Sequence, residues 1–325
     1  MLYINSIITT INFFRGKYVF LREAINLKIK IGLISLLSIF VLSISSCKDK
    51  EENVLRLGII PFESSDELLK NISPMINIIS KGLNMEVRPF VATDYSGVIE
   101  AFRAKKIDVA FLAPAAYVLG KKEANIKVIL KSHRHGNPFF YGVFITRSDS
   151  GINSIKDLKG KKFAFGDPIS TSGHIFPKME LLKNGINPET DFENVIFAGS
   201  HDATVLAVFH KKVDAGATYS DDIDGKKGSW VRYLKPNELS QIKIIGKPMP
   251  IPADNICVRS DLDPEITKKL AKTMIDFSNT KAGSSLMQKL YKFDGYMPAT
   301  DKDYDSVRKA FEVSGIELKE ALKSK

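Results

Sequence analysis

The chain has 325 residues, 44% hydrophobic and 26% charged, with only two cysteines. That length is more than one core usually carries, the apolar fraction excludes a mainly disordered chain, and two cysteines exclude a disulfide framework or a Cys-rich zinc module. The formal charge is +10, but residues 1–46 hold Arg15, Lys17, Arg22, Lys28 and Lys30 against Glu23 alone, so the remainder is mildly basic. Such a balance suits small anions or an anionic surface and makes no case for nucleic acid.

Ile31 to Ile44 is an uncharged apolar run preceded by Lys28 and Lys30. It is too short to cross about 30 Å of hydrocarbon and has the length of a signal-peptide core. Ser45-Ser46-Cys47 comes next, which resembles a bacterial lipoprotein signal: residues 1–46 are removed and Cys47 is lipidated on its thiol. The stretch before the apolar run is long for such a signal, which points to a start downstream of Met1. Residues 47–53 read as the lipidated cysteine and a charged tether. An uncleaved anchor is the alternative, and either reading exports the chain beyond Cys47. With Cys47 lipidated, Cys257 has no partner for an intrachain disulfide.

Leu55–Ile60 reads as a strand stopped by Pro61. A helix over Glu67–Lys81 carries Leu68, Ile72, Met75, Ile76 and Ile79 on one face, with Pro74 marking a break. Met85–Phe90 is a strand, Ser96–Lys106 a helix, and Ile107–Leu112 an apolar strand. This alternation predicts parallel sheets covered by helices on both faces. Gly151–Phe165 reads as a loop, one helical turn and a strand. Ile242–Ile245 and Asn255–Val258 are short strands joined by the Pro-rich segment 247–252. Helices over Pro264–Ser278, Ser284–Tyr291 and Asp303–Leu322 are expected to fold back on the first lobe.

A repeat runs through the chain. Residues 101–110 (AFRAKKIDVA) align with 207–216 (AVFHKKVDAG), and the same offset of 106 pairs Tyr95 with His201, Leu57–Ile60 with Phe163–Gly166, and Ser64-Ser65 with Ser170-Thr171. The repeat predicts two similarly built α/β lobes, so Tyr95 and His201 are expected to reach one ligand from different lobes.

The most informative stretch is Gly166-Asp-Pro-Ile-Ser170-Thr171-Ser172-Gly173-His174, between a strand and a helix. One hydroxyl would cap the helix; three exceed that need, and hydroxyls together with free amides at a helix start bind anions. The stretch also lies beyond the C-terminal end of a strand, where open α/β sheets bind ligands.

At these residues the sequence resembles the phosphonate/phosphite-binding component of bacterial ABC importers, over about Leu55–Pro264. The resemblance is carried by Asp94-Tyr95-Ser96-Gly97, residues 106–111, Tyr141-Gly142-Val143, Gly166-Asp167-Pro168, Ser170–Gly173 followed by Pro177, Ala198–His201, Val213-Asp214-Ala215 and Ile251–Asp254. It implies the type II periplasmic binding protein fold, two lobes each with a mostly parallel sheet: one from residues 54–143 and 255–325, the other from 144–254. It further implies a phosphorus oxyanion held in an interlobe cleft by Tyr95, Tyr141, Ser170, Thr171, Ser172 and His201, with Asp221 and Asp254 facing the group on phosphorus. Glu is the expected residue at position 221, so Asp221 is one methylene short. A carboxylate beside a deprotonated oxyanion requires a proton or a cation on the ligand. The implied partners are an ABC permease, its separate ATPase and the membrane through the lipid anchor; the protein would be a monomer with neither cofactor nor metal.

Other classes fit less well. Ser172, His201 and Asp221 name a nucleophile, base and orienter, yet no Gly-x-Ser-x-Gly elbow or nucleotide-binding Gly-rich loop is present. A zinc-binding surface lipoprotein would rest on Ser132-His133-Arg134-His135-Gly136, where two imidazoles are too few and an intervening Arg opposes a cation; that segment reads as a basic loop near a lobe crossover. A ligand-sensing receptor uncoupled from transport is the remaining alternative.

Overall fold

Segments of helical and strand period alternate through the described chain and sort into two sheets. The computed structural model describes residues 53–61, 65–134 and 136–316; the expected signal 1–46, Cys47 and residues 48–52 of the tether lie outside the described residues, as does Ser64. In chain order the first elements are β1 (Val54–Ile59), α1 (Ser65–Leu83), β2 (Glu86–Val91), α2 (Tyr95–Arg103), β3 (Val109–Leu112), α3 (Pro114–Glu123) and β4 (Ile126–His133). Next come β5 (Phe139–Arg147), β6 (Lys162–Phe165), α4 (Phe176–Lys183), β7 (Asn194–Phe197), α5 (His201–Phe209), β8 (Ala215–Ser220), α6 (Trp230–Tyr233) and β9 (Ile242–Pro252). The last described elements are β10 (Asn255–Arg259), α7 (Pro264–Ser278), α8 (Lys281–Tyr291), β11 (Gly295–Pro298) and α9 (Asp305–Ser314).

One sheet has six strands in the order β11-β4-β10-β3-β1-β2, the other five in the order β7-β6-β8-β5-β9. This is the two-lobed α/β architecture the sequence predicts. The strand–helix–strand units give parallel pairs, β1 with β2 and β3, and β6 with β7 and β8. Strands that enter from elsewhere run antiparallel: β10 to β3 and β4, β11 to β4, and β5 to β8 and β9. Each sheet is therefore mixed rather than mostly parallel as expected: the parallel strands, β2-β1-β3 and β7-β6-β8, form one side of each sheet, and the later strands extend it antiparallel.

The repeat is present in the hydrogen-bond register itself. Leu57 pairs with Val109 across β1 and β3, and Phe163 with Ala215 across β6 and β8, at the same offset of 106 in both strands. The Arg56 amide donates to Asp108 Oδ2 at 2.9 Å, and the Lys162 amide to Asp214 Oδ2 at 2.8 Å. Lys105 (φ 54°) and Lys211 (φ 59°) both turn the chain through the left-handed region between helix and strand.

Four boundaries differ from the sequence expectation. The change of sheet falls between His133 and Phe139, since β5 belongs wholly to the second sheet, so the expected boundary at 143/144 cuts through a strand. The Pro-rich segment is strand rather than linker. β9 lies at a sheet edge, and its prolines at 248, 250 and 252 alternate, so all the missing N–H groups point to the open side. Ala253, of the other parity, donates to the Pro138 carbonyl at 2.9 Å.

Helix α1 runs unbroken through Pro74, because its stripe of Leu68, Ile72, Met75 and Ile79 is buried and holds one line across the proline. Finally, α9 ends at Gly315 (φ 65°), and it does not rest on the first lobe alone. Tyr304, Val307 and Phe311 share one apolar cluster with Tyr117 of α3 and with Phe176 and Met179 of α4, so this segment packs against helices of both lobes.

Candidate functional site

Between the two sheets lies a cavity of about 140 Å³ lined by both polar and apolar side chains. Seven of the eight ligand residues expected from the sequence line it: Tyr95, Ser170, Thr171, Ser172, His201, Asp221 and Asp254.

Tyr95 opens α2. Asp94 caps that helix, accepting from Gly97 N at 2.7 Å, which sets Tyr95 at the mouth of the parallel strands. The Tyr95 amide donates to Asp167 Oδ2 of the other lobe at 3.3 Å. Burial, reinforced by the Asp167 and Asp254 carboxylates, pushes its phenol well above the usual range, so the hydroxyl remains a neutral donor.

The Ser-Thr-Ser segment splits its three hydroxyls among separate jobs. Ser170 Oγ accepts from Gly173 N at 3.0 Å and is the cap. Thr171 Oγ1 accepts from the Ala115 amide at 2.8 Å, tying the segment to the start of α3 in the first lobe. Ser172, also buried, faces the cavity and takes part in neither bond. The next turn, Thr171–Ile175, is wider than an α-helix, a distortion frequent at functional sites. Gly173 is required by packing: a Cβ there would lie 2.8 Å from Ser170 Oγ and 3.1 Å from Gly166 Cα. Asp167 braces the segment by accepting from Ile169 N at 2.7 Å, and burial pushes its carboxyl up to about 6.

His201 opens α5 as Tyr95 opens α2. Its Nδ1 pairs with Thr218 Oγ1 at 3.0 Å, and Thr218 in turn with Ser229 Oγ at 2.8 Å, while Tyr219 stands edge-on to the ring. Burial pulls this imidazole down to about 4, with Asp202 pulling the other way, so it is neutral at pH 7. The Nδ1 bond leaves Nε2 as the nitrogen open to a ligand.

The far end of the polar wall differs from expectation. Asp221 is not free: Arg134 donates Nε at 2.9 Å and Nη2 at 2.5 Å to its Oδ1, and both side chains are nearly excluded from solvent. Burial pushes the Asp221 carboxyl up against the pull of Arg134. Asp254, at the junction of β9 and β10, is pushed up to about 6 by burial, again opposed by Arg134. Arg232 also lines the cavity, and its Nη1 donates to Tyr219 Oη at 3.1 Å. The protein itself thus sets a cation, Arg134, against these two buried carboxylates.

Tyr141 is the exception among the eight. It lines a neighbouring cavity of about 270 Å³, and Arg134 and Asp221 border both cavities, so their ion pair stands as a partition. Arg134, Arg232 and Ser132 are cavity residues that sequence reasoning did not select. Arg134 was visible only as part of the basic loop at 132–136, whose His135 lies outside the described residues. Nothing in the sequence marked Leu68, Ile72, Met75, Phe111 and Phe293 as the apolar wall. Among the described residues no three His, Cys, Asp or Glu side chains gather as a metal site.

The chain matches, over residues 57–304, the family model described as ABC transporter, phosphonate, periplasmic substrate-binding protein. It is 32% identical to the phosphate-import protein PhnD of Mycolicibacterium smegmatis, an alignment covering 81% of this chain and 86% of that one. Two crystal structures resemble it: the binding component of a phosphonate ABC transporter from Pseudomonas aeruginosa (TM-score 0.73, 26% identity, 81% and 86% of the chains) and PhnD1 of Prochlorococcus marinus with methylphosphonate (TM-score 0.69, 25% identity, 80% and 97%).

Proposed function

Because the chain belongs to the periplasmic substrate-binding proteins of phosphonate ABC transporters, we propose that its interlobe cavity holds the oxyanion through Tyr95, Ser170, Thr171, Ser172 and His201. It is a transport receptor rather than an enzyme: it captures a phosphorus oxyanion and delivers it to an ABC permease.

The observation that carries the site assignment is the convergence of neutral donors from both lobes on one small cavity. The Tyr95 phenol, the Ser172 hydroxyl and the neutral His201 imidazole offer hydrogen bonds without placing a full charge against the anion. Arg134 and Arg232 offset the Asp221 and Asp254 carboxylates, so that no net negative charge faces the anion. Contacts completed only when the lobes meet favour the closed arrangement, so ligand shifts an existing equilibrium. Tyr141 stands behind the Arg134–Asp221 pair and makes no first contact. In this reading Cys47 carries a lipid that holds the monomeric receptor at the membrane, and a separate ATPase drives the permease.

The test is a thermal-shift titration of the full chain with phosphate, phosphite, methylphosphonate, 2-aminoethylphosphonate and sulfate. A bound ligand at 100 times its Kd stabilises the folded state by about 2.7 kcal/mol. A midpoint that rises with a phosphorus anion and not with sulfate, and no longer rises in Ser172→Ala, supports the assignment; a midpoint unmoved by every phosphorus anion refutes it. For the anchor, Cys47→Ala is expected to release the protein from the membrane fraction.

A further inference from the structure

Resting on that reading of the cavity, we infer that the substituent on the ligand's phosphorus is uncharged and apolar, an alkyl or aryl group of several carbons, and that Arg134 excludes aminoalkyl ligands. The place where a ligand ammonium would meet a carboxylate is already occupied. Two nitrogens of Arg134 donate to Asp221 Oδ1, with the Asp221 side chain 4% exposed and that of Arg134 11%. An incoming ammonium would have to displace the guanidinium and leave that buried charge unpaired, which is strongly unfavourable.

The charges at this end also balance. Arg134 and Arg232 offset Asp221 and Asp254, so no net negative potential invites a cation. Arg134 has an unmet need of the opposite kind. Its Nη1 is buried without a hydrogen-bond partner, and so is Ser132 Oγ on the same cavity wall. Both are donors, and a phosphoryl oxygen is the acceptor that would satisfy them. The residue that repels the ammonium thereby attracts the anion.

The same cavity is also lined by Leu68, Ile72 and Met75 of α1 with Phe111 and Phe293. These carbons cannot replace the hydration an ammonium gives up against them, whereas methylene and aromatic carbons gain by leaving water.

Propylphosphonate and 2-aminoethylphosphonate decide the matter, because they have the same number of heavy atoms and differ in a terminal methyl or ammonium. Titration calorimetry on the full chain is expected to show propylphosphonate binding at least tenfold tighter, and phenylphosphonate also tighter than 2-aminoethylphosphonate. In Arg134→Gln the ratio is expected to fall toward one or to invert. Should that variant not fold, the wild-type ratio already decides, and Arg134→Lys, which keeps the charge, is expected to retain the preference.

Equal or tighter binding of 2-aminoethylphosphonate by the wild type overturns the inference, as does an unchanged ratio in Arg134→Gln. Binding of phosphite or methylphosphonate with rejection of both larger alkyl and aryl ligands overturns the apolar part while leaving the receptor function standing. If phosphate, phosphite and every phosphonate fail to bind, the site assignment itself falls and the inference with it.

Discussion

Tyr95 and His201 hold the same position in the two lobes: each is the first residue of its helix, each follows a capping side chain, Asp94 or Ser200, and both line one cavity. A repeat that brings two helix starts to one cavity would, in the proposed reading, make a neutral anion cradle from a duplicated unit. The two residues are not alike chemically, so their contributions separate by mutation and by pH.

Tyr95→Phe is expected to weaken phosphonate binding at least tenfold, whereas Tyr141→Phe is expected to leave it within a factor of two. Tyr95 lines the cavity and Tyr141 lies across the Arg134–Asp221 partition. Calorimetric titration of both variants checks this, and equal losses would show that the partition opens in the bound state.

Ser170 and Ser172 sit two residues apart and should fail differently. Ser170→Ala removes the helix cap and is expected to cost about 1 kcal/mol of stability without ligand. Ser172→Ala is expected to leave the unliganded melting temperature unchanged and to abolish the ligand-induced rise. Melting curves with and without ligand separate the two roles.

Four buried titratable groups oppose each other on acidification. His174 and His201 are pulled from 6.5 to about 4, so the unfolded chain takes up those protons first and stability falls as pH drops from about 6.5 towards 4. Asp167 and Asp254 are pushed from 3.8 to about 6, so the folded chain takes up protons first and stability rises over nearly the same window. These four contributions are expected to cancel largely between pH 6 and 4.5. Asp254→Asn should tilt the melting-temperature profile so that it falls more steeply on acidification, and His201→Asn should tilt it the other way. Parallel profiles for the two variants would contradict the opposed shifts.

Lys105 and Lys211 adopt left-handed backbone, which a side chain disfavours. Lys105→Gly and Lys211→Gly are each expected to stabilise by about 0.5–1 kcal/mol, in amounts that add in the double variant because the sites lie in different lobes. Denaturant unfolding of the three variants tests both sign and additivity.

The two-lobe plan was legible because it is written in local terms: helix and strand periods, and a repeat of ten residues whose offset reappears as register in Leu57–Val109 and Phe163–Ala215. That Ser170, Thr171 and Ser172 share a cavity was legible for a similar reason, since they form a contiguous motif. What sequence could not show depends on distant pairing. Nothing near Arg134 says that it meets Asp221, 87 positions away. The strand character of residues 247–252 needed the knowledge that β9 is an edge, and the apolar wall is a set of ordinary core side chains until the cavity beside them is seen.

Arg134 and Asp254 each lie in one of the two short connections by which the chain passes between the sheets, β4 to β5 and β9 to β10. Whatever sits against them therefore presses on both joints of the molecule at once. In the proposed reading the bulk and charge of a substituent would set a bending angle, so a poor cargo would fill the cavity and still leave the jaws ajar. A permease that docks on both lobes would then need no view of the ligand, because the gap between its two footprints reports what has been caught.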